Sequence, residues 1–215
     1  MEKNFLKKIA LILFLFATTF LLSRPAQAFL ALNETAELLP DGYFKLGVAP
    51  ELKLTNGITD GTGLNVGAYF DTYLTQDTNA RFTIGGGKID FWTSASLKWV
   101  PFPDVDRQPA MGGRVALIYA RDENVNFYNV QISPIISKLA DTTYGKMIPF
   151  IGLPVTYVST KDESFVATQF AIGAEWFSNK TMHVGGELDL NLNKSFTAAS
   201  IFLSFPFDQS VGYKK

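Results

Sequence analysis

From Phe44 onward the chain alternates apolar and polar residues in short stretches. In the clearest, Phe44, Leu46, Val48, Leu52 and Leu54 fall on one face and Lys45, Gly47, Glu51 and Lys53 on the other. Successive strand side chains point to opposite faces, so such a strand meets an apolar medium on one side and a wet or charged one on the other. The period predicts strands at about 43–55, 62–75, 79–87, 89–101, 111–121, 125–138, 146–159, 164–177, 181–193 and 196–207. In the second, Leu64, Val66, Ala68, Phe70 and Leu74 oppose Asn65, Gly67, Tyr69, Asp71 and Tyr73. In the ninth, Val184, Leu188, Leu190 and Leu192 oppose His183, Glu187, Asp189 and Asn191.

Two places interrupt the period. Inward positions are odd-numbered between Arg81 and Gly87 and even-numbered from Asp90 to Lys98. A strand changes phase only through a bulge or a turn, and Gly85-Gly86-Gly87-Lys88 is expected to be a tight hairpin. Pro134, Pro149 and Pro154 fall inside the sixth and seventh strands and predict bulges or strand ends there, because proline lacks the ladder donor.

The front of the chain reads differently. Lys3, Lys7 and Lys8 precede an uncharged run from Ile9 to Leu22, and Ala26-Gln27-Ala28 supplies a small-x-small cleavage pattern. That run is shorter than the ~20 apolar residues of a spanning helix. Residues 1–28 are therefore expected to be a cleavable export signal, and 29–42 a periplasmic lead-in, extended or briefly helical. Past Ala28 no apolar run approaches helix-spanning length. A membrane span would have to be made of strands, which survive in lipid only when closed so that no edge is left unpaired.

The expected fold is all-β: a single antiparallel up-and-down transmembrane β-barrel over 43–207, followed by a tail at 208–215. Ten strands are expected, with eight or twelve as alternatives if the interruptions are read otherwise. An even count puts both ends of the barrel on one side, the periplasmic one. Trp99, Trp176, Phe205 and Phe207 then fall at the inner ends of strands on the lipid face, and Tyr119, Tyr128 and Tyr157 at the outer ends. Two such belts suit rings that prefer the membrane interfaces. A soluble sandwich or lipocalin-like barrel would turn its apolar face inward instead.

The export signal, the alternating strands and the terminal Ser200-Ile201-Phe202-Leu203-Ser204-Phe205-Pro206-Phe207 resemble the small OmpA/OmpX-type bacterial outer-membrane barrels. The resemblance implies an outer-membrane location, contact with outer-membrane lipid, and recognition of the last strand by the barrel-assembly machinery during insertion. It carries no catalytic motif. In this chain eight residues, Asp208 to Lys215, follow Phe207.

Charge narrows the picture. Four of the 19 basic and one of the 20 acidic residues lie in the expected leader, which leaves 15 and 19. No basic block remains to attract nucleic acid. The chain has no cysteine, so thiol catalysis, disulfides and Cys-based zinc sites are excluded. The inward-facing ionisable residues are expected to be Lys45, Glu51, Lys53, Asp71, Arg81, Asp90, Lys98, Arg114, Glu175, Glu187 and Asp189. Five are basic and six acidic, and in so narrow an interior opposite charges pair rather than line a pore.

Enzymatic signals are weak. His183, the only histidine, would need a partner such as Glu187, but strand positions four apart are ~13 Å distant. Gly85-Gly86-Gly87-Lys88 lacks the Ser/Thr and the helix of a phosphate loop. Asp104 and Asp106 lack the rest of a calcium loop, and Asn179-Lys180-Thr181 is an uninformative acceptor pattern in a periplasmic turn. No cofactor or metal is expected. The expected role is structural or interactive, with a largely occluded, charge-paired lumen and no enzyme activity. The rival roles are a narrow channel for small solutes or ions, and a barrel handling lipid or apolar ligands. The sequence does not indicate an oligomeric state.

Overall fold

The computed structural model describes residues 31–55, 62–143, 145–177 and 181–208. The expected leader, Asn179 and Lys180 of the acceptor pattern, and the tail beyond Asp208 lie outside them. The strands are β1 (Tyr43–Lys53), β2 (Gly63–Thr75), β3 (Thr78–Gly87), β4 (Phe91–Phe102), β5 (Ala110–Asp122), β6 (Val125–Ser137), β7 (Ala140–Thr142), β8 (Gly145–Gly152), β9 (Val155–Ser159), β10 (Ser164–Phe177), β11 (His183–Asn193) and β12 (Ala198–Asp208).

These make ten staves rather than twelve. β8 and β9 lie end to end between β6 and β10, pairing with both, and are separated only by Leu153 and Pro154. Pro154 has no N–H to give the ladder, so the stave breaks there as its sequence predicts. The backbone bridges the break with Leu153 N–H to Pro134 O at 3.1 Å and Gln169 N–H to Pro154 O at 3.0 Å. β7 is a short flap paired only with β8. β1 pairs antiparallel with β12 from Tyr43↔Asp208 to Lys53↔Ala198, which closes a ten-strand antiparallel barrel. The beginning of β1 and the end of β12 share one end of it, here called the terminal end.

The expected alternation holds. Leu117 and Ile201 are 62% and 59% exposed, while Lys53, Gln131 and Asp189 inside are 0% exposed. Apolar residues cover the outside and charges the inside, the reverse of a soluble barrel. Of the expected belt residues, Trp99, Trp176, Tyr128, Tyr157, Phe205 and Phe207 are exposed on the outer surface. Tyr119 is half covered by the rings of Phe91 and Tyr128. The Trp99 indole donates to Asp77 Oδ2 at 2.9 Å, tying its ring to the β2–β3 turn.

One hairpin falls later than expected. β3 runs through Gly85 and Gly86 to Gly87, and the turn is Lys88–Asp90. Gly85 serves the lumen instead: a Cβ there would lie 2.2 Å from the Trp92 ring, which crosses over it. Asp90 consequently sits in the turn, exposed, with Oδ2 accepting the Glu123 N–H at 2.8 Å. It is not a lumen residue.

The larger correction concerns the lead-in. Residues 31–36 are all buried, and they lie within the barrel rather than outside it. The alternation of strands carries no information about a non-repeating segment that threads between them.

Candidate functional site in the barrel lumen

The lumen is filled in three layers. At the end opposite the termini, Ile89, Trp92, Ile118, Phe127, Val158 and Phe165 form an apolar cluster. In the middle lies the N-terminal segment with the charged residues around it. Toward the terminal end the segment leaves through Leu38 to Pro40 beside an open cavity.

The middle layer is organised by Glu34, which sequence reasoning passed over. Lys98 on β4 and Arg114 on β5 are direct cross-strand partners. Like charges opposite each other are destabilising unless an anion intervenes. Glu34 is that anion: Oε1 lies 3.1 Å from Lys98 Nζ, and Oε2 lies 3.6 Å from Arg114 Nη1 and 4.0 Å from Arg81 Nη1. The same cations also hold the segment's backbone. Arg81 Nη1 donates to Asn33 O at 2.9 Å, Arg114 Nη1 to Leu32 O at 3.0 Å, and Lys98 Nζ to Thr35 O at 2.9 Å and to Glu37 O.

Carboxylates secure the segment's other side. Ala31 N–H donates to Glu51 Oε2 at 2.8 Å, and the amides of Leu32 and Asn33 donate to the two oxygens of Glu187. Asn33 adopts φ +46°, a left-handed conformation that asparagine tolerates, and its Oδ1 accepts from Ser200 at 2.7 Å. Ala36 N–H donates to Ser137 Oγ at 3.1 Å. A segment without secondary structure can be buried only if its backbone groups find such partners.

The remaining expected residues divide clearly. Asp71 takes a two-pronged bond from Arg81 at 2.6 and 2.8 Å, and the Arg81 guanidinium stacks 4.2 Å from the Tyr69 ring centre. Lys45 stands 3.6 Å from both Asp71 and Glu175. The Lys53 ammonium lies over the Phe196 ring. Asp189 is fully buried, and its carboxyl group lies against that of Glu187 two positions back along β11. Ten of the eleven expected charges therefore share the lumen, and Asp90 is the exception.

His183 meets Glu175 on the neighbouring strand, not Glu187: Nδ1 lies 3.2 Å from Glu175 Oε1. Ser204 is the cross-strand partner of His183, yet its hydroxyl donates to the same carboxylate oxygen at 3.3 Å. A Ser–His–acid relay needs the imidazole between hydroxyl and carboxylate. Here the carboxylate stands between the other two, so the serine proton points at Glu175. Among the described residues no cluster of three or more His, Cys, Asp or Glu is arranged to hold a metal ion.

Comparison with known proteins adds little to this geometry. No family model matches the sequence, and no curated protein matches it. Among solved structures, a bacterial polysaccharide outer membrane secretin is 14% identical at a TM-score of 0.41, over 68% of this chain. The chain spans 57% of that protein's length. Ail, the attachment invasion locus protein of Yersinia pestis, solved with the heparin analogue sucrose octasulfate, is 10% identical at 0.32 over 77% of this chain and 97% of its own. Salmonella typhi OmpF, in complex with daunomycin, is 8% identical at 0.27 over 77% and 97%. The barrel assignment rests on strand pairing and closure, not on these.

Proposed function

We propose that the protein is an outer-membrane β-barrel whose lumen is closed by its own N-terminal segment, with a structural or interactive role rather than a conducting or enzymatic one. The observation that carries this reading is Glu34, set among Lys98, Arg114 and Arg81 at the barrel's centre. A permeation path needs mobile water and unpaired or single-sign charges along the lumen. Here cationic side chains are spent on an internal carboxylate and on the carbonyls of the segment that fills the path. The apolar exterior and its aromatic residues support lipid as the surrounding medium, and so outer-membrane lipid as a partner.

The test is electrical. Purified protein reconstituted in planar bilayers is expected to show no steady conductance, and deletion of residues 31–39 is expected to produce discrete current steps. Large, reproducible currents from the intact protein would overturn the reading in favour of a channel. Fractionation with the outer membrane and heat-modifiable migration in detergent gels are expected. Recovery as a soluble periplasmic protein would end the membrane reading altogether.

A further inference from the structure

The outer wall of the barrel is not uniform. Over β3 to β6, toward the end opposite the termini, it carries a groove of about 540 Å³. Its floor is Ala95 on β4, set in register between Phe82 on β3 and Leu117 on β5. A small side chain between two large cross-strand neighbours leaves a depression. Tyr119 and Tyr128 border it toward that end, and Tyr157 closes it on the β9 side. The surfaces are apolar and suit a hydrocarbon chain.

Hydrogen-bond donors stand just past the groove. Arg121 lies two residues beyond Tyr119 on β5, so it shares the outer face, ~7 Å further toward the rim. It is exposed, its Nε donates to Glu123 O at 3.4 Å, and its guanidinium makes no ion pair among the described residues. Glu123 thus offers it a carbonyl and not a carboxylate. The other acids nearby are turned away or engaged: Asp122 is buried on the lumen side, and Asp90 Oδ2 accepts the Glu123 N–H. Asn126 is the cross-strand partner of Arg121, and its Oδ1 accepts from the Tyr119 hydroxyl at 3.0 Å. That bond uses the amide oxygen and leaves the amide N–H groups as donors beside the guanidinium. Both lie at the depth that tyrosine rings favour, where hydrocarbon meets head groups. The planar fork of an arginine matches the oxygens of a phosphate, and a neighbouring amide adds a further donor.

We propose that this outer face of β4 to β6 is a binding site for an anionic phospholipid. The phosphate sits on Arg121 and Asn126, and one acyl chain lies in the groove over Ala95. The proposal rests on the membrane-barrel reading above and adds one place where a lipid is held rather than merely touched.

The experiment uses the mature full chain in nanodiscs of equal phosphatidylglycerol and phosphatidylcholine with matched chains, followed by native mass spectrometry of the released barrel. One phosphatidylglycerol is expected to stay on each barrel, preferred at least about tenfold over phosphatidylcholine, about 1.4 kcal/mol. Arg121→Gln, and independently Ala95→Phe, which fills the groove floor, are expected to abolish that preference. Arg107→Gln, which removes the same charge from an exposed loop at the terminal end, is expected to leave it unchanged. Soluble glycerol 3-phosphate is expected not to displace the lipid, because it has no chain for the groove. Retained lipid that matches the composition of the disc would overturn the site. So would an equal fall with Arg107→Gln, which would mark a diffuse effect of net charge. Displacement by glycerol 3-phosphate would overturn the role of the groove, and barrels released in pairs without lipid would assign the face to a second copy instead. Failure of the barrel reading would show separately, as a chain that does not enter the discs.

Discussion

Replacing Glu34 with glutamine keeps the side chain's size and removes the one anion that separates Lys98 from Arg114. The carboxylate is 4% exposed and lies 3.1, 3.6 and 4.0 Å from three cations. At an effective dielectric of about 20, each contact is worth roughly 4–5 kcal/mol of gross attraction, most of it offset by the cost of burying the charges. Breaking such a group by removing one member typically costs ~3–5 kcal/mol, since the partners stay buried and uncompensated. Here the cations keep their backbone acceptors: Lys98 retains Thr35 O and Glu37 O, and Arg114 retains Leu32 O and the Gln131 side chain. The expected loss for Glu34→Gln is therefore near the lower end, ~3 kcal/mol. Reversible urea unfolding in lipid vesicles, followed by tryptophan fluorescence and by the gel shift, reads it directly. If the N-terminal segment leaves while the barrel stays folded, the same loss appears as new conductance. Adding Lys98→Met should restore part of the stability, because it removes one of the stranded cations. A Glu34→Gln protein within ~0.5 kcal/mol of the wild type, the range of ordinary surface substitutions, and electrically silent, would refute the reasoning.

Two further outcomes follow from the outer face and from the β4–β5 loop. Leu117, 62% exposed in the middle of β5, is expected to cost ~2–4 kcal/mol on replacement by arginine, whereas Gln at the same site costs less; folding titrations in vesicles that rank them the other way would contradict a lipid-facing surface. In the loop, partial burial disfavours the Asp104 carboxylate. The Lys138 ammonium and the Leu139 N–H outweigh that and hold its pKa below the ordinary value of 3.8. Because the folded value is the lower one, the clasp contributes fully above the unfolded pKa near 3.8 and is lost as pH falls through the folded value. A carboxyl NMR titration should place that midpoint under 3.8, and Asp104→Asn at neutral pH should speed tryptic cleavage at the neighbouring Arg107; unchanged cleavage would contradict the clasp.

Much of the barrel was legible because its period is local. Leu46 and Val48 outside, with Glu51 and Lys53 inside, follow from a two-residue repeat that any strand must obey. Pro154 announced the break in the seventh stave for an equally local reason. The phase change near Gly87 was visible, but its placement was not. Gly85 reads as a turn residue until Trp92 is seen lying across it, and that contact depends on register. Asp90 was misplaced by the same shift. Glu34 was missed for a different reason. It stands in Asn33-Glu34-Thr35, which has no period, and the need for it arises only when Lys98 and Arg114 are known to face each other across two strands. The small residues Ala31 and Ala36 around it were the available signal, since a segment passing through a narrow lumen has room for few large side chains. The His183–Glu175 contact likewise awaited the pairing of β10 with β11.

The row formed by Glu51, Ser200 and Glu187 lies on three adjacent strands, β1, β12 and β11, in matched register. It spans the seam where the first strand meets the last, the pairing most distant in sequence and the one with the greatest loop-closure cost. Ala31, Leu32 and Asn33 bind across all three of these residues. The N-terminal segment is thus a stitch over the closing edge as well as a filling. It adds interactions to the join that is entropically hardest to make, and it cannot complete its own set of partners until that join exists. Seating of the segment therefore depends on closure of the cylinder and, once made, reinforces it. A barrel parted at this seam must give up its stitch in the same step.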